Sequence, residues 1–136
     1  MQPLSKRRIG QGWLQLAQDD LAGAAVLLRN AALHSRLCGY FCQQAAEKAL
    51  KGANAQTGST PDRIHDLVEL AELLESRGAV PPITARQRVT LSLHAVVFKC
   101  AMFIEADRYR ADLADHLAAA QACVTWPEAL IAATPE

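Results

Sequence analysis

Residues 38–52 read CGYFCQQAAEKALKG. Cys38, Phe41, Ala45 and Ala49 recur every three or four positions, the spacing of one face of an α-helix. The other face carries Gln43, Gln44, Glu47, Lys48 and Lys51. Glu47 and Lys51 stand four apart with the acid first, the better orientation for a surface pair. The pattern predicts a helix over 37–57, stopped near Gly58 in a GSTPD loop that holds both Gly and Pro.

The same period continues on either side. Trp13, Ala17, Leu21, Ala24 and Leu28 form one stripe, predicting a helix over 12–33 and a break at 34–36. After the GSTPD loop, Asp66 with Glu69 has the form of a capping box ahead of the stripe Leu67, Leu70 and Leu74. Gly78 and Pro81-Pro82 end that short helix. Thr84 with Gln87 opens a fourth helix, whose stripe Val89, Leu93, Val96 or Val97, Cys100 and Phe103 or Ile104 runs to about 106. A polar interruption at 107–110 follows. Leu113, Leu117, Ala120 and Val124 then make a fifth helix that Pro127 stops, leaving 129–136 as a short helical or frayed tail. No period-2 apolar run is long enough for a strand. The expected architecture is one all-α domain over 1–136, with its core at about 12–124. It is an up-down antiparallel bundle of four main helices plus a short extra helix.

Composition agrees. Of 136 residues, 26 are Ala and 18 Leu, against 5 Ile and 7 Val. Ala and Leu favour helices, Ile and Val strands. With 5% aromatics, the core is built from small and medium aliphatic groups. Lys plus Arg, 14, balance Asp plus Glu, 14. That neutrality argues against nucleic-acid binding by bulk attraction alone. It conceals an asymmetry: 1–60 carries seven positive and three negative groups, and 61–136 seven positive and eleven negative. The densest basic cluster, Lys6-Arg7-Arg8, reads either as a local phosphate-binding patch or as a solvated tail.

Cys38 and Cys42 share a helix face and read as half a metal site or as buried reduced thiols. No second CxxC or HxxxH completes a site, so neither metal nor cofactor is expected. The N-terminus lacks an apolar run of signal-peptide type, and no 18-residue apolar stretch can span a membrane. A cytoplasmic protein without a membrane partner is expected.

Residues 41–52, FCQQAAEKALKG, resemble the signature helix of HEPN (higher eukaryotes and prokaryotes nucleotide-binding) domains. Trp13, Ala17, Asp20 and Leu21 look like the family's first-helix pattern W-x-x-x-A-x-x-D-L. His65-Asp66-Leu67 looks like its H-D-L element. Asp107-Arg108-Tyr109 looks like the R-Y-P element that opens the last helix, with Arg110 in place of the usual Pro. The resemblance spans about 12–124. It implies a four- or five-helix bundle, often a homodimer. It also implies one of two roles: a metal-independent ribonuclease, frequently a toxin, or a non-catalytic partner of a minimal nucleotidyltransferase that binds nucleotide or RNA.

The ribonuclease chemistry needs a His to move a proton near neutral pH and an Arg to hold the phosphate. Arg29–His34, Arg88–His94 and Arg110–His116 have the family's spacing. Ten Arg and four His in this length yield about one such match by chance, so position decides. Only Arg110 and His116 sit at the start of the final helix. They are the catalytic candidates, in an Arg-x5-His motif. Ala111 follows the Arg where active members usually carry a polar residue. The alternative is an exposed Arg at a helix start and a surface His beside Asp112 and Asp115. Arg88 with His94 reads as a helix-interior pair with a partly buried His, and Arg29 with His34 as a cation at a helix C-terminus. Asp66 reads as a cap while His65 covers the second helix, or the two form an acid–base pair. Gln44, Lys48, Lys51 and Arg108 are candidates for nucleotide or RNA binding. Equally, Glu47 neutralises the two lysines. The leading expectation is a binding or regulatory HEPN protein, dimeric, linked to a nucleotidyltransferase or to a toxin–antitoxin pair. The rivals are the endoribonuclease and a subunit that only dimerises.

Overall fold

Ser5 opens the first helix: its Oγ accepts from the Arg8 N–H at 3.2 Å, satisfying a donor that the helix start leaves open. α1 then runs over Lys6–Leu28, beginning earlier than the stripe suggests. The extra turn is held from outside, because the Gln56 side chain donates to the Lys6 carbonyl at 2.9 Å. Lys6, Arg7 and Arg8 therefore lie in a helical turn and are not a loose tail. In the computed structural model, residues 3–29, 31–59, 63–99 and 113–136 are described, with 31–35 and 94–99 in backbone alone. The expected stripe residues Cys100, Phe103 and Ile104 and the interruption at 107–110 lie outside the described residues, as do the Val96 and Val97 side chains.

α2 spans Ala31–Gln56, so the break between the first two helices falls at Arg29 and not at 34–36. Ala31 and Ala32, the strongest helix formers, join the second helix. α2 stops where expected. The Thr57 N–H bonds Asn54 O at 3.1 Å and the Ser59 N–H the same carbonyl at 3.0 Å. Gly58 supplies the left-handed φ of +89° between them.

α3 is Leu67–Glu75, and Asp66 caps it through a 2.9 Å bond from Val68 N–H. Among the described residues, no Glu69 bond completes the expected box. Instead Ser92 Oγ donates to Asp66 at 3.2 Å and accepts from Leu67 N–H at 3.1 Å, tying the start of α3 to α4. α4 is Ala85–Lys99. Its box forms as expected: Gln87 Oε1 accepts from Thr84 N–H at 2.9 Å, and Thr84 Oγ1 from Gln87 N–H at 3.1 Å. α5 is Leu113–Thr125. Pro127 both stops it and opens α6, Pro127–Ala133, as its fixed φ and missing donor allow.

No strand occurs among the described residues. The chain is all-α, an up-down bundle of α1, α2, α4 and α5 with α3 in the connection and α6 closing the end. α2 is the hub and packs against all the others. Ala17, Ala24, Ala45, Ala46, Ala49 and Ala53 are fully buried, with Leu50, Leu67, Leu70, Leu74, Leu91 and Leu113. Small residues let α1 and α2 approach closely. A Cβ added at Gly52 would lie 3.2 Å from both the Gly10 carbonyl oxygen and Trp13 Cβ, so even a methyl group there would push α1 and α2 apart by a few tenths of an ångström.

Candidate functional site

Two polar groupings hold the candidate residues. The first lies on the polar side of α2. Lys51 Nζ is 3.3 Å from Glu47 Oε2, and the two side chains are only 3% and 7% exposed. The expected surface pair is therefore a buried one. The Trp13 ring from α1 covers the ammonium, its centroid 5.3 Å from Nζ, a favourable cation–π placement. Gln43 Nε2 donates to Glu47 Oε1 at 3.0 Å, and Gln44 Nε2 donates to Gln43 Oε1 at 2.6 Å. His65 Nδ1 lies 3.3 Å from Glu47 Oε2 and 3.4 Å from Lys51 Nζ. It either accepts from the lysine or, carrying the proton, donates to the glutamate. His65 thus covers α2 while Asp66 caps α3. Lys48 reaches across to α1 and pairs with Asp20 at 2.5 Å. The Gln44, Lys48 and Lys51 set is brought together, but its two ammonium groups face carboxylates inside the fold.

The second grouping lies between α4 and α5. His116 is 8% exposed, not a surface residue, because the start of α5 turns this position toward α4. It lines a cleft of about 350 Å³ with Arg86, Gln87, Thr90, Asp115 and Ala118. Arg110 and Arg108 lie outside the described residues, as do Ala111 and Asp112. The cation that the described fold brings to the histidine's cleft is Arg86. The sequence reading missed it: Arg86 and Thr90 stand four apart on α4, but nothing local says that this turn faces α5.

The other spaced pairs have structural work. Arg88 donates to Glu75, and through Nε to the Ile83 carbonyl at 3.0 Å, pinning α4 to α3. Arg29 is the C-cap residue of α1, where a cation meets the negative end of the dipole. The His34 and His94 side chains lie outside the description. Arg7 approaches Glu136 only at 4.0 Å on the surface.

Cys38, Cys42 and Cys123 are buried free thiols; Cys100 lies outside the described residues. Cys38 donates to the Ala24 carbonyl at 3.4 Å. Its bond with Cys42 lowers the Cys38 thiol and raises the Cys42 thiol, which burial raises further. Burial pushes Cys123 from 9.0 up to about 12, against the opposing pull of Arg88. The sign follows. Below pH 9 the thiol is neutral in both folded and unfolded chains, and its contribution to stability is complete. Above about pH 9 the unfolded thiol ionises first, so stability falls by up to about 1.4 kcal/mol per pH unit until the folded thiol titrates. Urea unfolding of wild type and Cys123→Ala at pH 8 and 10 checks this. The wild-type advantage should shrink by about 1.4 kcal/mol at pH 10; a constant difference would refute it.

Among the described residues, no helix is long and apolar enough to cross a membrane. The HEPN domain family model matches residues 11–126. No curated protein and no solved structure matches the chain.

Proposed function

The chain belongs to the HEPN domain family, and on that premise we propose that it is a binding and regulatory module, the helical partner in a nucleotidyltransferase-linked or toxin–antitoxin system. The supporting observation is the fate of the signature-helix cations. Lys51 is 3% exposed against Glu47, and Lys48 is paired with Asp20. The most charged stretch of the family motif thereby holds α1, α2 and the loop before α3 together. A phosphate entering there would have to displace two carboxylates, one of them buried, at a cost that exposed lysines do not impose. HEPN domains often dimerise, and a dimer is the expected state. Nucleotide or RNA contact through Gln44, Lys48, Lys51 and Arg108 would require both lysines to leave their present partners.

A second reading, the metal-independent endoribonuclease, is favoured by one observation: His116 opens onto a cleft. In that reading Arg110 holds the phosphate and His116 moves the proton. Incubating the purified protein with RNA in EDTA separates the two. The module reading expects intact RNA and co-purification with a minimal nucleotidyltransferase encoded beside it. Cleavage that vanishes in His116→Ala, with helical content unchanged by circular dichroism, overturns it in favour of the enzyme.

A further inference from the structure

We propose that His65 is a phosphoryl-accepting histidine: its Nε2 takes the phosphoryl group of an acyl phosphate while Glu47 holds the ring through Nδ1. The inference goes beyond the binding-module reading and concerns a side chain outside the α4–α5 cleft. Two features meet at this position. The His65 side chain is 70% exposed, yet its Nδ1 lies 3.3 Å from Oε2 of a carboxylate that is only 7% exposed. That carboxylate is itself fixed, because the fully buried Gln43 donates to its Oε1 at 3.0 Å. Oε2 remains for Lys51 and for His65. Nε2 has no partner among the described residues. A buried amide thus orients the carboxylate, the carboxylate orients the ring, and the far nitrogen is left to the solvent side.

This arrangement sets the chemistry. With its proton on Nδ1, donated to Glu47, the ring carries its lone pair on Nε2 and is a nucleophile. With Lys51 donating to Nδ1 at 3.4 Å instead, the proton sits on Nε2 and the nucleophile is lost. Glu47 therefore selects the reactive tautomer and stabilises the imidazolium that attack creates. In the transfer, the Nε2 lone pair forms a bond to phosphorus, and the bond from phosphorus to the acyl oxygen breaks. The carboxylate leaves with that electron pair, and the Nδ1 proton stays in its bond to Glu47. Nothing is oxidised or reduced. Two features favour the incoming anion. Arg63, two residues back in the same loop, is exposed and has no partner among the described residues. His65 also directly precedes Asp66, the N-cap of α3, where the positive end of the helix dipole lies. The Asp66 carboxylate is already engaged by Val68 N–H and Ser92 Oγ. Exposure decides between the uses of such a ring. Chemistry on a small substrate gains from a site that excludes water, whereas a group handed over from another molecule's surface needs a nucleophile that projects. The donor chemistry has two sources, a small acyl phosphate or the aspartyl phosphate of a protein.

Two donors test the site: acetyl phosphate, and a response-regulator receiver domain carrying its aspartyl phosphate and freed of small donors. Intact-mass spectrometry and peptide mapping should find about one phosphoryl group per chain, on His65, lost in acid and kept in alkali as a phosphorus–nitrogen bond requires. Transfer from only one donor identifies the source. His65→Gln should abolish the label. The folded chain should label at His65 about tenfold faster or more than the same chain in urea, because only the fold supplies Glu47. Nitrogen NMR of the neutral ring should report the Nδ1–H tautomer. Glu47→Gln should slow labelling about tenfold in chains that circular dichroism shows to be folded, and should shift the ring toward the Nε2–H tautomer. If that variant does not fold, the comparison in urea and the wild-type tautomer still decide. The assignment is overturned by no label on His65 from either donor, by an acid-stable label, or by equal labelling of another histidine. Equal rates in the folded and unfolded chains, or an Nε2–H ring in the wild type, overturn it as well.

Discussion

Glu47→Ala should cost about 3–5 kcal/mol of folding stability, a large part of what a chain of this size possesses. The carboxylate is 7% exposed and the Lys51 ammonium beside it 3%. Truncation removes the carboxylate 3.3 Å from the buried ammonium, which sits beside the Trp13 ring and His65. Gln43 loses the acceptor for its 3.0 Å bond as well. Urea unfolding followed by circular dichroism measures the loss. Two comparisons make it specific. Lys48→Ala, which removes one member of a pair 23% (Lys48) and 14% (Asp20) exposed, should cost less, because water still reaches that pair. Replacing both members, with Glu47→Leu and Lys51→Met together, should recover much of the loss, since an apolar pair carries no desolvation penalty. A cost below about 1 kcal/mol for Glu47→Ala would show that water reaches Lys51 readily and that the pair does not organise this corner.

Leu50→Ala should cost about 2–5 kcal/mol. Leu50 is fully buried on the hub helix, within the core cluster that α2 shares with α1, α3, α4 and α5. The size of the penalty depends on how far neighbours can collapse into the vacancy. The core cluster around it is rich in buried alanines, whose short side chains cannot swing into the vacancy, so the cost falls in the upper part of the range. Leu93→Ala, at a position 53% exposed, should change stability by less than about 0.5 kcal/mol. Similar losses at the two positions would contradict the hub role of α2.

Much of the fold is legible along the chain because helix ends are local chemistry. Asp66, Thr84 with Gln87, and Gly58 each act within four residues, and each ends or opens a helix where its type predicts. The apolar stripes are equally local, and Ala17, Ala24, Leu67, Leu70 and Leu74 all reach the core. The start of α1 is not legible in the sequence because part of its support is distant: Gln56 holds the Lys6 carbonyl from the far end of α2. The sequence leaves His116 open between a catalytic role and a surface position beside Asp112 and Asp115, whereas its burial is set by packing toward α4.

An all-helical bundle, most of its caps and its family can be read along the chain alone, since periodicity and capping depend on residues within a few positions of one another. The work of the charged groups follows instead from how the helices pack. Helical spacing says that Glu47 and Lys51 share a face, but the depth of that face depends on Trp13, 34 positions before Glu47. Likewise Arg86 and His116 are 30 positions apart and share a cleft only because α4 and α5 bring their first turns together. Electrostatics acts through space and burial, so residues that look alike on a helical wheel separate, in the folded chain, into a buried scaffold on α2 and an open cleft between α4 and α5.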